Sequence, residues 1–216
     1  LNLREKEELE ETIESAAFGD FVHSALHNLY LPFVDKIISV PALEQQKKEC
    51  EEVTKTAFLQ KYSERDISFG KNLLTLKVAG KFVRSFLNKE IDFLKKLELN
   101  GEPLTILDLE KEMEAEILFK KKKFKIRGKA DRIDKVGNTL RIIDYKTGNV
   151  QPAELKIENA EITNFEKPKP KALQLLMYAL IYSKQIRMNQ SFASKEGRLT
   201  SGADRADFQV LSNRKG

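Results

Sequence analysis

The sequence predicts a mixed α/β (α+β) fold, with a small mixed sheet flanked by helices and an added N-terminal helical region. Three observations carry that expectation. Through the first hundred positions apolar side chains recur every three or four residues, the spacing of one helix face. After Gly101-Glu102-Pro103 the spacing changes to the alternation of strands. An apolar run of helical length, LQLLMYALIY, then follows the strands.

The elements follow in order. Residues 3–14 are acidic and periodic and read as a helix start. Phe18, Val22, Leu26, Leu29 and Phe33 predict a helix over 16–31, after which Pro32 and Pro41 punctuate the chain. Residues 44–62 predict a second helix with Val53, Ala57 and Phe58 inward. Residues 72–97 predict a third through Leu73, Leu76, Val83, Phe86, Leu87, Phe93 and Leu94. Residues 104–109 and 115–119 are strand-like, 124–134 alternate, and 139–145 are rich in β-formers. Residues 148–170, with Pro152, Pro168 and Pro170, read as irregular. Residues 172–185 predict a helix with Leu173, Leu175, Leu176 and Leu180 in the core. Beyond 188 the chain reads as irregular, apart from a short strand at 207–211.

Composition narrows the class. The chain has 216 residues, 41% hydrophobic and 33% charged, with mean hydropathy −0.46. That describes a soluble globular chain of one domain, 1–216. No window nears 18 consecutive apolar residues, so no membrane partner is expected. Arg4-Glu5-Lys6-Glu7-Glu8 is unlike a signal peptide. The opening on Leu1 predicts a module of a longer chain. Cys50 is the sole cysteine, which excludes an internal disulfide and any four-cysteine zinc or iron–sulfur site, and it fits a cytoplasmic setting. The net charge of +5 is unevenly spread: residues 115–148 hold 11 basic and 4 acidic side chains, a net of +7, against −6 for 1–114. A polyanionic partner and a merely solvated lysine face both fit that peak. The run Lys120–Lys123 within it fits either a phosphate backbone or a solvated turn.

Residues 128–148 read GKADRIDKVGNTLRIIDYKTG. Gly137-Asn138 between alternating runs signals a two-residue hairpin, with Gly supplying the positive φ of the first turn position. Asp131 then falls opposite Asp144, and alternation places Lys129, Asp131, Ile133, Ile142, Asp144 and Lys146 on one face. Two carboxylates across a ladder repel each other. A divalent cation turns that repulsion into chelation, with Lys146 beside it to hold water or neutralise a phosphate. An odd-length loop would shift the register, and a plain surface hairpin with weak pairs such as Asp134–Arg141 remains the competing reading.

Asp131 followed by Asp144-Tyr145-Lys146 resembles the D…D-x-K signature of the PD-(D/E)XK nuclease superfamily. With Gly19-x-x-x-His23 before it and Gln174-x-x-x-Tyr178 after it, the set most resembles the RecB-like nuclease domain of AddB-type and RecB-type helicase–nuclease subunits. The resemblance spans about 18–182. It implies a restriction-endonuclease-like core over 104–185, with 35–100 as a helical insertion. It implies that Asp131, Asp144, His23 and the Tyr145 backbone carbonyl ligate Mg²⁺ or Mn²⁺, that Lys146 is catalytic, and that Gln174 and Tyr178 line the site. Glu110 corresponds to an acidic position of the first core strand, with Glu112 and Glu114 competing for that assignment. It further implies DNA, as single strands or duplex ends, as substrate, exonuclease rather than endonuclease action, a helicase domain or subunit as partner, and a role in double-strand break repair or recombination. The iron–sulfur version of the family is excluded by the single cysteine. A catalytically silent nuclease-like domain that binds DNA or a helicase is the alternative. His23 and His27 also show a zinc-ligand spacing, but Ser24 stands where a zinc protease needs glutamate.

Overall fold

The computed structural model describes residues 17–62, 70–148, 150–155, 169–195 and 205–212; the acidic segment 3–14 lies outside them. Helix α1 (17–30) buries Phe21, Val22, Ala25, Leu26, Leu29 and Tyr30, the stripe expected of one helix face. A 3₁₀ turn, Leu31–Phe33, follows at Pro32, whose ring cannot continue the α-helical ladder. The chain then clips to the sheet through Asp35 N–H to Ile106 O (2.8 Å) and Ile38 N–H to Leu104 O (2.9 Å).

Helix α2 (Val40–Tyr62) begins about a turn before the sequence predicts. The Ser39 hydroxyl accepts the Ala42 N–H at 3.4 Å, and Pro41 sits in the first turn, where a missing N–H costs nothing. Helix α3 (Gly70–Leu99) closes with Gly101 N–H to Glu98 O (3.1 Å) and Glu102 N–H to Leu97 O (2.9 Å), Gly101 taking φ 68°. That is a Schellman ending, for which glycine is the least strained residue.

Four strands form one sheet in the order β1-β2-β3-β4: β1 (Leu104–Phe119), β2 (Lys122–Val136), β3 (Thr139–Lys146) and β4 (Arg205–Ser212). The first three are an antiparallel meander, and β4 joins β3 in parallel. β1 is one continuous strand where the sequence suggests two. The β2–β3 register runs from Val136↔Thr139 to Arg132↔Ile143, as a two-residue Gly137-Asn138 loop requires. Gly137 has φ 53°, the residue needed at the first position of a type II′ turn.

One apolar layer joins α1, α2 and α3 to Leu104, Ile106, Val136, Ile143 and Tyr145 of the sheet. The other packs Met113, Ala115, Ile133, Leu140 and Ile142 under Tyr178 and Ile181 of α5 (Pro170–Lys195). The sheet is therefore covered on both faces, an α+β sandwich. A short helix, α4 (Pro152–Leu155), precedes α5 within the stretch expected to be irregular. Two corrections concern α5. It runs from Pro170 to Lys195, beyond the expected end at 185 and into the stretch after 188 expected to be irregular. It buries Ala172, Leu175, Tyr178 and Ile181, leaving Leu173, Leu176 and Leu180 at 54%, 39% and 38% exposure rather than in the core. The buried set recurs every three residues and uses up the sheet-facing stripe, so the other leucines fall on the flank. No helix among the described residues is long and apolar enough to cross a membrane.

Candidate active site

The site forms where α1, β1, β2, β3 and α5 converge at one end of the sheet. His23 projects from α1. With the proton on Nε2, its ring donates to the Tyr145 carbonyl at 3.0 Å, and Nδ1 faces Asp131 Oδ1 at 3.3 Å. The other Asp131 oxygen accepts the Tyr145 backbone N–H at 2.5 Å, so the ladder beyond Arg132↔Ile143 gives way to a side-chain clasp. The Tyr145 carbonyl, an expected metal ligand, lies at the site and accepts from the histidine ring with one of its two lone pairs. Strict alternation also fails here: Asp131 turns to α1, and Lys129 pairs with Glu110 rather than standing beside Lys146.

Glu110 is the strained member. Its φ is 52°, the left-handed region that costs a side-chain-bearing residue about 1–3 kcal/mol. The kink lies opposite Asp131 in β1 and turns the Glu110 carboxylate toward His23. The ligating atoms of His23, Glu110 and Asp131 all lie within 4.8 Å of one another. Among the three competing glutamates the structure thus brings Glu110 to the site. Glu114 is instead bound by Lys125 (2.6 Å) and Arg127 (2.8 Å), which hold its carboxyl below the usual range. Backbone strain at Glu110 leaves no residue-type signature, so spacing alone could not separate it from Glu112 and Glu114.

Asp144 and Lys146 face the other way, toward α5. Gln174 Nε2 donates to Asp144 Oδ1 at 3.1 Å and to the Tyr178 hydroxyl at 2.6 Å, while Gln174 Oε1 accepts from Lys146 Nζ at 3.2 Å. One amide therefore ties acid, lysine and tyrosine together. Lys146 Nζ lies 2.7 Å from Asp144 Oδ2, a close ion pair between the buried acid and the lysine. Burial pushes the Asp144 carboxyl above its ordinary range, against the pull of the Lys146 ammonium. His23 shows the opposite balance: burial disfavours its charge, but the Asp131 carboxylate outweighs that and raises its pKa.

These features fit a divalent cation. The Nδ1 lone pair of His23 points at a carboxylate oxygen, a contact that only a proton or a cation between them makes favourable. The Nε2–H held by a backbone carbonyl is the outer contact that orients a ligating histidine. Beside the carboxylates a cleft of about 580 Å³ opens, lined by His23, His27, Gln60, Glu110, Lys129 and Asp131.

Two supporting features escaped the sequence reading. Gly128 lets the Tyr178 ring lie on the strand: a Cβ there would sit 2.6 Å from Tyr178 Cε1. A glycine inside a strand is a signal for such an approach. Behind the site, Arg132 and Arg141 form a buried network with Glu90 and Asp134, through Arg132 Nη2–Glu90 at 2.7 Å and a bidentate Arg141–Asp134 pair at 2.6 and 2.7 Å. Tyr30 and Phe93 stack on the two guanidinium groups at 4.7 and 4.6 Å. The Asp134–Arg141 pair is thus core, not surface.

Comparison with known proteins adds one positive finding. No curated protein and no solved structure matches the chain significantly. The family model described as the PD-(D/E)XK nuclease superfamily matches residues 1–207. With that match covering nearly the whole chain, and an α+β fold consistent with a restriction-endonuclease-like core, the protein belongs to the PD-(D/E)XK nuclease superfamily.

Proposed function

We propose that the protein is a Mg²⁺- or Mn²⁺-dependent deoxyribonuclease, an exonuclease module that works with a helicase domain or subunit in the repair or recombination of broken DNA in the cytoplasm. The single observation carrying this reading is the gathering of His23, Glu110 and Asp131, from three elements, beside the cleft, with Asp144, Lys146 and Gln174 tied together on the α5 side of the same strands. Burying Asp131 and Asp144 near each other costs free energy that positive charge at the site offsets. The exonuclease mode, the helicase partner and the repair setting rest on the resemblance to RecB-like domains.

His23, Glu110, Asp131 and Asp144 would hold the cation. Bound there, it supplies Lewis-acid polarisation of the phosphodiester and a water acidic enough to attack at neutral pH. Lys146, held between Asp144 and the Gln174 amide, presents an ammonium to the water or to a phosphate oxygen as negative charge grows there. Gln174 fixes the lysine against Asp144 and is itself fixed by Tyr178. Burial raises the Tyr178 hydroxyl's pKa and keeps it a neutral hydrogen-bonding group.

Incubating the chain with single-stranded and duplex DNA in Mg²⁺ tests this reading. Cleavage is expected, with Asp144→Ala, Lys146→Ala or EDTA each lowering the rate by at least about 100-fold. Cleavage that survives EDTA and Asp144→Ala overturns the mechanism. Metal binding without cleavage of either DNA assigns the chain to the silent alternative.

A further inference from the structure

The β1–β2 hairpin ends in an exposed tip that the active site does not use. Every residue from Leu118 to Lys125 is exposed, including Leu118 at 71%, Phe119 at 59% and Phe124 at 44%. The pairs Ile117↔Phe124 and Phe119↔Lys122 put both rings and Lys122 on one face. On the opposite face the cations are matched: Lys123 by Glu116 at 3.4 Å, and Lys125 and Arg127 by Glu114. Lys121 and Lys122 have no ion pair among the described residues, and Lys120 Nζ sits 5.5 Å from the Phe119 ring centre. The turn itself is Lys120-Lys121, with φ 45° and 65°. Both values belong to a type I′ turn, a place where Asn and Gly are the unstrained choices. Two lysines are therefore held at the apex against their backbone preference, beside two uncovered rings.

Nine residues separate Lys122 from Asp131 on β2, so the tip stands about 30 Å from the carboxylates. Lysines there would attract any polyanion. The rings discriminate: they stack only on bases whose faces are open, which excludes intact duplex. Resting on the nuclease reading above, we propose that the hairpin tip is a second, remote DNA contact that grips the unpaired strand. Bases stack on Phe119 and Phe124 and phosphates meet Lys120, Lys121 and Lys122, while the same strand reaches the carboxylates about 30 Å away.

The test is fluorescence anisotropy of the full chain in EDTA, with dye-labelled oligothymidine and with a blunt duplex, across a salt series. Phe119→Ala/Phe124→Ala should weaken binding of a strand of about 30 nucleotides by tenfold or more and leave the duplex within about twofold. Lys120→Asn/Lys121→Gly relieves the turn, so it should melt no lower than the parent. Its log affinity for the strand should depend on log salt less steeply, by about 1.4 for the two lost phosphate contacts. A merely structural hairpin predicts the reverse, namely equal binding in both variants. Unchanged single-strand affinity in both, or equal losses for strand and duplex in the phenylalanine variant, overturns the proposal. Binding in EDTA needs no chemistry, so a parent chain that cleaves nothing sinks the nuclease reading alone and leaves this comparison decisive.

Discussion

Glu110 concentrates the residue-scale argument. Its backbone occupies a region that glycine enters freely and glutamate does not, yet its carboxylate is one corner of the candidate metal triad. Strain and function can be separated by two substitutions. Glu110→Ala removes the carboxylate and keeps the strain; Glu110→Gly removes both. The glycine variant should exceed the alanine variant by about 1 kcal/mol in denaturant unfolding, while both lose Mn²⁺ affinity equally in calorimetry. Equal stabilities would show that the kink is not strained. His23 is simpler: its ring lies between a carbonyl and a carboxylate, and its neighbours outweigh its burial. Cys50, buried in the helical layer, has its thiol pushed up by burial and takes no part in the site.

At the scale of elements, the network of Glu90, Arg132, Asp134 and Arg141 joins α3 to β2 and β3 directly behind Asp131. Its formal charges cancel, two against two, but every partner is needed, because an unpaired ion in the core is far costlier than the pair is worth. Glu90→Ala should lower unfolding free energy by about 3–5 kcal/mol without changing the denaturant slope, and Glu90→Gln, which keeps an acceptor, by less. A loss below about 1 kcal/mol would mean that Arg132 finds water or another acceptor. The elements themselves were largely readable from sequence. Helices α1 to α3, the Gly137-Asn138 turn and its register follow from spacing and turn chemistry alone, because each is local. What was not readable is non-local. The leucines of α5 pass for core until the sheet selects the stripe through Leu175 and Tyr178. Asp131 passes for a partner of Asp144 on one face until α1 supplies His23 and the Asp131 carboxylate turns to it. Sequence brought the acids, the lysine, Gln174 and Glu110 into the reading, while the choice of Glu110 over Glu112 and Glu114 and the clasp on Tyr145 N–H required the fold.

Across the whole molecule, charge and topology act together. The basic excess of +7 in 115–148 lies on the strands that carry the tip at one end and the carboxylates at the other, so approach of a polyanion and its placement share one structural axis. A cation binding only the folded chain must also stabilise it. Mn²⁺ at about 100 times its dissociation constant should add about 2.7 kcal/mol, read as a rise in melting temperature that EDTA reverses and Asp131→Asn abolishes. No rise would argue that the triad binds no metal. The parallel strand β4 sets a different constraint. It pairs with all of β3, from Thr139↔Arg205 to Lys146↔Ser212, and so joins positions 66 residues apart through α5. Closing so long a loop is entropically expensive until the rest of the sheet stands ready. During synthesis the outer edge of β3, with Asp144 and Lys146 on it, therefore waits without its parallel partner until residues 205–212 have been made. That interval is when a nascent chain is most exposed to pairing with another, because the hairpin holds β3 on one side only until β4 covers the other.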